Sequence, residues 1–198
     1  MEIKQPLVMK EEMVEKKIKN IKQLRMYKLM MGIFMLLSLA VNAQSNKTNA
    51  FTLFSDAFVN NGPIAKLNTC DSLGISPQLA WSNAPVGTKG YAITMHHFPK
   101  TGEKLAYIVL YDIAANINYL PAGATSVGTW GLNSHSNKPG YAPPCSKGPG
   151  AKKYIITIYA LSEQPKIVNT YPIKIDQLLA AINGHVLDSA ILTVQHTR

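Results

Sequence analysis

The sequence predicts a mostly-β domain with one short helix near its C-terminus. Three observations carry this. Short apolar runs recur between Gly, Pro and Asn breaks, β-branched and aromatic residues fill those runs, and a single stretch has helical spacing.

In chain order the strand candidates are "FTLFS" from Phe51, "QLAWS" from Gln78, "YAITMHHF" from Tyr91, "LAYIVLYDI" from Leu105 and "KYIITIYAL" from Lys153. The run "AYIVLYDI" hardly alternates between apolar and polar, so it reads as a central strand covered on both faces. "IDQLLAAIN" places Ile175, Leu178, Leu179 and Ile182 on one helical face, with Asp176 in the first turn and Gly184 as a stop. There is no internal repeat and no low-complexity tract. Residues 51–198 form one domain, large enough for a proper core.

The first 43 residues read differently. Eight Lys/Arg and four Glu precede residue 29, and "LMMGIFMLLSLAVNA" follows. A basic start, a short apolar middle and Val41-x-Ala43 before Gln44 predict a secretory signal peptide over 1–43. The apolar run falls short of the roughly 20 residues that span a bilayer, so no stable span is expected after cleavage. An uncleaved anchor is the alternative reading, and translation starting at Met26 or Met30 would shorten the basic region. Residues 44–50 are polar and read as a flexible segment. The expected location is periplasmic or extracellular.

Removing that segment changes the charge argument. The whole chain carries +9, but residues 44–198 hold twelve Lys/Arg against seven Asp/Glu, a net of +5. Lys47, Lys66, Lys89, Lys100 and Lys104 are scattered; Lys147, Lys152 and Lys153 gather. A nucleic-acid binder would show a basic stripe with aromatics or a recognised motif, and neither is present.

Catalytic and metal patterns are weak. His96 and His97 are adjacent in a strand, so they point to opposite faces and cannot chelate one ion together. No HExxH, CxxC or GxSxG occurs, and no metal or cofactor is expected. The carboxylates are dispersed. Cys70 and Cys145 are the two cysteines of the chain. On spacing alone they stand as a disulfide pair, as packing cysteines, or, for Cys145 beside Lys147 and Lys152, as a thiol with lowered pKa.

The strongest local signal is "YAPPCSKGPGAKKY", from Tyr141 to Tyr154. Its prolines fix the backbone and its glycines permit close approach. Lys152 and Tyr154, two apart at a strand's mouth, share a face. A rigid loop offering backbone N–H groups, a lysine and a phenol suits a small anion.

Several stretches in fixed order resemble the phosphatidylethanolamine-binding proteins, especially their bacterial Raf-kinase-inhibitor-like branch. "NTCDSLGISPQLAWSNAP", "AYIVLYDIAANINYLPAG", "GYAPPCSKGPGAKKYIITIYAL" and "IDQLLAAINGHVLDSAILT" carry the likeness from about Thr52 to Thr193. The resemblance implies an antiparallel β-sandwich with a large central sheet, a smaller second sheet and a short C-terminal helix. It implies a pocket for an anionic or phosphate-like ligand, such as a phospholipid head group, built by His97, Tyr107, Pro144, Cys145, Ser146, Lys152 and Tyr154. It also places Cys70 and Cys145 near the pocket end, where they are expected to bridge. The expected function is non-enzymatic binding. The alternatives are an inhibitor or interaction module with a protein partner, and a hydrolase using Cys145 or His97. The departures matter: "HHFPK" stands where the family has "DPDAP", so both pocket carboxylates are absent. Tyr107 and Lys152 replace two family histidines.

Overall fold

The computed structural model describes residues 5–40, 49–145, 147–168 and 172–198. The chain forms two compact units, Met1–Lys47 and Thr48–Arg198.

The first unit holds a helix, α1, over Gln5–Ala40. Periodicity does not announce it, because its residues 11–31 are exposed all round. Glu12 and Lys16, and Glu15 and Lys19, are spaced as attractive pairs one turn apart, which supports a helix without an apolar face. Among the described residues, no helix is long and apolar enough to cross a membrane.

The second unit is mostly β. A three-stranded sheet is built from β1 (Thr52–Phe54), β3 (Leu79–Ser82) and β6 (Tyr119–Leu120), in the order β1-β3-β6. A six-stranded sheet has the order β2-β9-β8-β4-β5-β7. Its strands are β2 (Gly62–Pro63), β4 (Gly90–His97), β5 (Leu105–Ala114), β7 (Thr129–Trp130), β8 (Lys152–Leu161) and β9 (Val186–His196). The helix near the C-terminus, α2, covers Ile175–Ile182.

The expectation of antiparallel sheets needs one correction. β2 pairs with β9 in parallel, with Gly62 opposite Val194 and Pro63 opposite Gln195. Ile64 N–H donates to the Gln195 carbonyl at 2.8 Å, and Thr193 N–H donates to Asn60 Oδ1 at 2.9 Å. Proline is tolerated there because β2 is an edge strand. The remaining strand pairs in both sheets are antiparallel.

Alternation along the long strands sorts two cores. Ile93 and Met95 of β4 and Ile156 and Ile158 of β8 join Leu53, Leu79, Trp81 and Leu120 of the smaller sheet. Ala92, Val109 and Leu161 join Ile175, Leu178 and Ile182 of α2. β5 contributes to both, with Ile108 and Leu110 in the first and Val109 and Tyr111 in the second. Coverage on both faces is why its sequence does not alternate. Each apolar side chain that α2 buries contributes about 1.5–3 kcal/mol. The helix start is fixed by Lys174 N–H donating to Gln177 Oε1 at 2.8 Å.

The turn into β7 depends on Gly128. Its φ is +66°, and a Cβ there would lie 2.5 Å from the Tyr111 carbonyl oxygen on β5. Gly128→Ala meets both a left-handed backbone and a backbone clash. It is expected to destabilise the domain by about 1–2 kcal/mol. An unchanged urea midpoint would contradict this reading.

Candidate functional site

The site is assembled where β4 ends and β8 begins. Antiparallel register sets His96 opposite Ile155, which brings His97 beside Tyr154. Their ring centroids are 5.3 Å apart. His97 Nδ1 lies 2.8 Å from the Lys153 carbonyl. A carbonyl only accepts, so Nδ1 carries the proton and Nε2 is the nitrogen left for a ligand. Among the described residues no carboxylate backs His97; a backbone carbonyl does.

Between these strand ends and the loop lies a cavity of about 630 Å³. His97, Phe98, Pro99 and Lys100 line one side, and Lys147 to Pro149 with Ala151 to Lys153 line the other. Gly148 and Gly150 take positive φ, 107° and 90°, and turn the loop back on itself. Lys152 Nζ then donates to the Lys147 carbonyl at 3.0 Å, closing the turn. An ammonium has three donors, so two remain for a ligand. Among the described residues, the lining holds four lysines and a histidine and no Asp or Glu.

Of the residues singled out from the sequence, His97 and Lys152 line this cavity. Tyr107 and Tyr154 are buried beside it, packed edge to face at 5.0 Å. Pro144 is buried, and its carbonyl accepts Cys70 N–H at 3.1 Å. Ser146 lies outside the described residues. Cys145 is bonded to Cys70, with a Cα–Cα distance of 5.3 Å. That removes the free thiol which a hydrolase reading of Cys145 requires.

The phenols form a cluster. Burial, the largest cause, pushes the pKa of Tyr107, Tyr141 and Tyr154 up. The neighbouring Tyr154 opposes the rise in Tyr107, whereas Tyr107 adds to the rise in Tyr154. At neutral pH these groups are protonated donors, not bases. Tyr141 Oη donates to the Asn68 carbonyl at 2.6 Å, and His135 packs edge-on to Tyr107 at 5.3 Å.

Sequence reasoning noted Lys153 in the lysine cluster but left Lys100 among the scattered cations, and it passed over Tyr141 and His135 in this neighbourhood. A signal existed for Lys100, which closes the same "HHFPK" segment as His97.

His96, on the other face of β4, has its pKa lowered by burial first, then by Lys104 and His97. The unfolded chain therefore takes up a proton near the ordinary value of 6.5, while the folded chain resists it to lower pH. The associated stability is full above that value and is lost as pH falls below it toward the folded pKa. A His96→Phe variant should lose this component, so its stability should fall less than the wild type's on acidification. Parallel pH profiles of the two denaturation midpoints would contradict this.

Comparisons with known proteins concern the family and the fold. Residues 54–197 match the family described as phosphatidylethanolamine-binding protein. A UPF0098 protein of Chlamydia trachomatis is 30% identical over 145 residues, covering 71% of this chain and 94% of that one. The crystal structure of the phosphatidylethanolamine-binding protein homolog CT736 from the same species superposes with a TM-score of 0.70 at 28% identity, over 76% of this chain and 99% of that one. Escherichia coli YbcL, described as a member of the mammalian PEBP family, gives a TM-score of 0.67 at 22% identity, over 75% and 98%. That last likeness is one of fold.

Proposed function

The chain belongs to the phosphatidylethanolamine-binding protein family, and from that premise we propose an exported, non-enzymatic binding protein that holds a small anion in the cavity beside His97. The ligand class is a phosphate-like head group or a carboxylate. One observation carries the reading: the cavity presents Lys100, Lys147, Lys152, Lys153 and His97, with no acidic side chain among the described residues of its lining. Clustered cations favour an ionised guest, and a site without carboxylates does not repel it. The Lys153 carbonyl rather than an acid contacts His97, and Cys145 is held in a disulfide, which supports binding without turnover.

Calorimetric titration of the protein with inorganic phosphate, phosphoethanolamine and citrate tests this. Vesicles of phosphatidylethanolamine or phosphatidylglycerol form a separate arm. Saturable binding that weakens with salt supports the proposal. Affinity for vesicles without affinity for free anions would assign the site to a lipid surface. No binding in any arm would overturn it.

Export rests on the basic start, the apolar run and Ala43. The Ala43–Gln44 cleavage site and residues 44–48 lie outside the described residues. The mature protein is expected to begin at Gln44. N-terminal sequencing of the exported fraction checks this, and an intact Met1 or Met26 terminus would contradict it.

A further inference from the structure

A second cluster lies around the disulfide and takes no part in the lysine-lined cavity. A cleft of about 890 Å³ is bordered by Lys66, Thr69, Cys70, Asp71, His196 and Arg198, among others. The Arg198 guanidinium lies 3.0 Å from Asp71 Oδ1 and turns another nitrogen toward the sulfurs, 3.5 Å from Cys145 Sγ and 3.8 Å from Cys70 Sγ. His196, itself buried, holds the other Asp71 oxygen at 3.2 Å. Asp71 therefore shares its charge between two partners and fixes the guanidinium in place. A purely structural crosslink needs no cation against its sulfurs.

We propose that the Cys70–Cys145 disulfide is a reversible redox site, opened by a small thiol that attacks Cys70 from this cleft. Cys70 borders the cleft, so its sulfur is the one a thiol entering there meets. Cys145 then leaves as a thiolate beside the nearer contact of Arg198, and a stabilised leaving thiolate departs faster. In the first step the attacking thiolate forms a bond to Cys70 Sγ as the Sγ–Sγ bond breaks. A second thiol resolves the mixed disulfide. Two thiols are oxidised to one disulfide, and the protein gains two electrons and two protons.

The two segments are also held together without the sulfurs. Cys70 N–H donates to the Pro144 carbonyl at 3.1 Å, and Tyr141 Oη donates to the Asn68 carbonyl at 2.6 Å. These bonds keep the cysteines adjacent after opening, which is what reclosure requires.

Incubation of the oxidised protein with glutathione, quenched and mapped by mass spectrometry, is the test. The expected adduct is on Cys70. Arg198→Ala should slow opening about three- to tenfold, with Arg198→Lys between the two. In the reduced protein, alkylation of Cys145 should have its midpoint at lower pH in the wild type than in Arg198→Ala. Near-UV circular dichroism should persist on reduction. An adduct on Cys145 would overturn the proposal. So would an unchanged rate and midpoint in Arg198→Ala, or loss of the near-UV signal on reduction.

Discussion

Replacing Cys70 and Cys145 together by alanine is expected to lower the stability of the domain by about 4 kcal/mol and its Tm by about 8–16 °C. The two cysteines are 75 positions apart. In the unfolded chain the bond removes the freedom of that whole loop, and in the chain-entropy model the gain rises with the logarithm of loop length. Little of this is recovered elsewhere. The Cys70–Pro144 and Tyr141–Asn68 hydrogen bonds persist in the folded variant, but they break on unfolding and do not restrain the unfolded ensemble. A domain of this size has about 5–15 kcal/mol in hand, so the variant should still fold. Thermal melts of the variant and of the oxidised protein, compared at one scan rate, measure the effect. A difference below about 1 kcal/mol would mean that native strain or residual unfolded structure cancels the entropy term.

How far the sequence carries depends on which physical signal each element leaves. β3, β4, β5, β8 and α2 bury long apolar stretches, so spacing and turn residues reveal them. β9 leaves a mixed record: Val186 to Ser189 are exposed, and alternation begins only at Ala190. β2, β6 and β7 are two residues each, too short to show any period. The parallel pairing of β2 with β9 joins Gly62 to Val194, a relation no local pattern encodes. The site divides in the same way. His97 and Lys152 were legible through the resemblance, and Lys152 and Tyr154 share a face as strand alternation requires. Alternation would also send Lys153 away from Lys152. Both nonetheless reach the cavity, because it wraps around the end of β8 where the loop turns back. The disulfide required the 66–74 segment to meet the 140–145 segment, a meeting made by tertiary packing such as that of Gly74 against Pro143.

Lys152→Ala is expected to weaken anion binding by about 1.5–3 kcal/mol, about ten- to a hundredfold in Kd. The side chain is fixed by its bond to the Lys147 carbonyl, so the ammonium is placed before the ligand arrives and little entropy is lost on binding. Removing it deletes a charge-assisted hydrogen bond and also releases the turn that carries Lys147. Lys147→Ala leaves the Lys147 carbonyl and the Lys152 contact intact. It should cost less than about 1 kcal/mol, because its exposed ammonium is screened by water and salt. Lys89→Ala removes an exposed cation from just before the far end of β4, roughly 25 Å from His97 at the usual strand rise, and should leave affinity unchanged. The three variants separate a built site from a general positive field. A field effect would weaken all three alike and vanish at high salt, whereas a hydrogen bond from Lys152 persists in part. Phosphate titrations of wild type and variants at low and high ionic strength decide it, and equal losses across the three would remove Lys152 from the site.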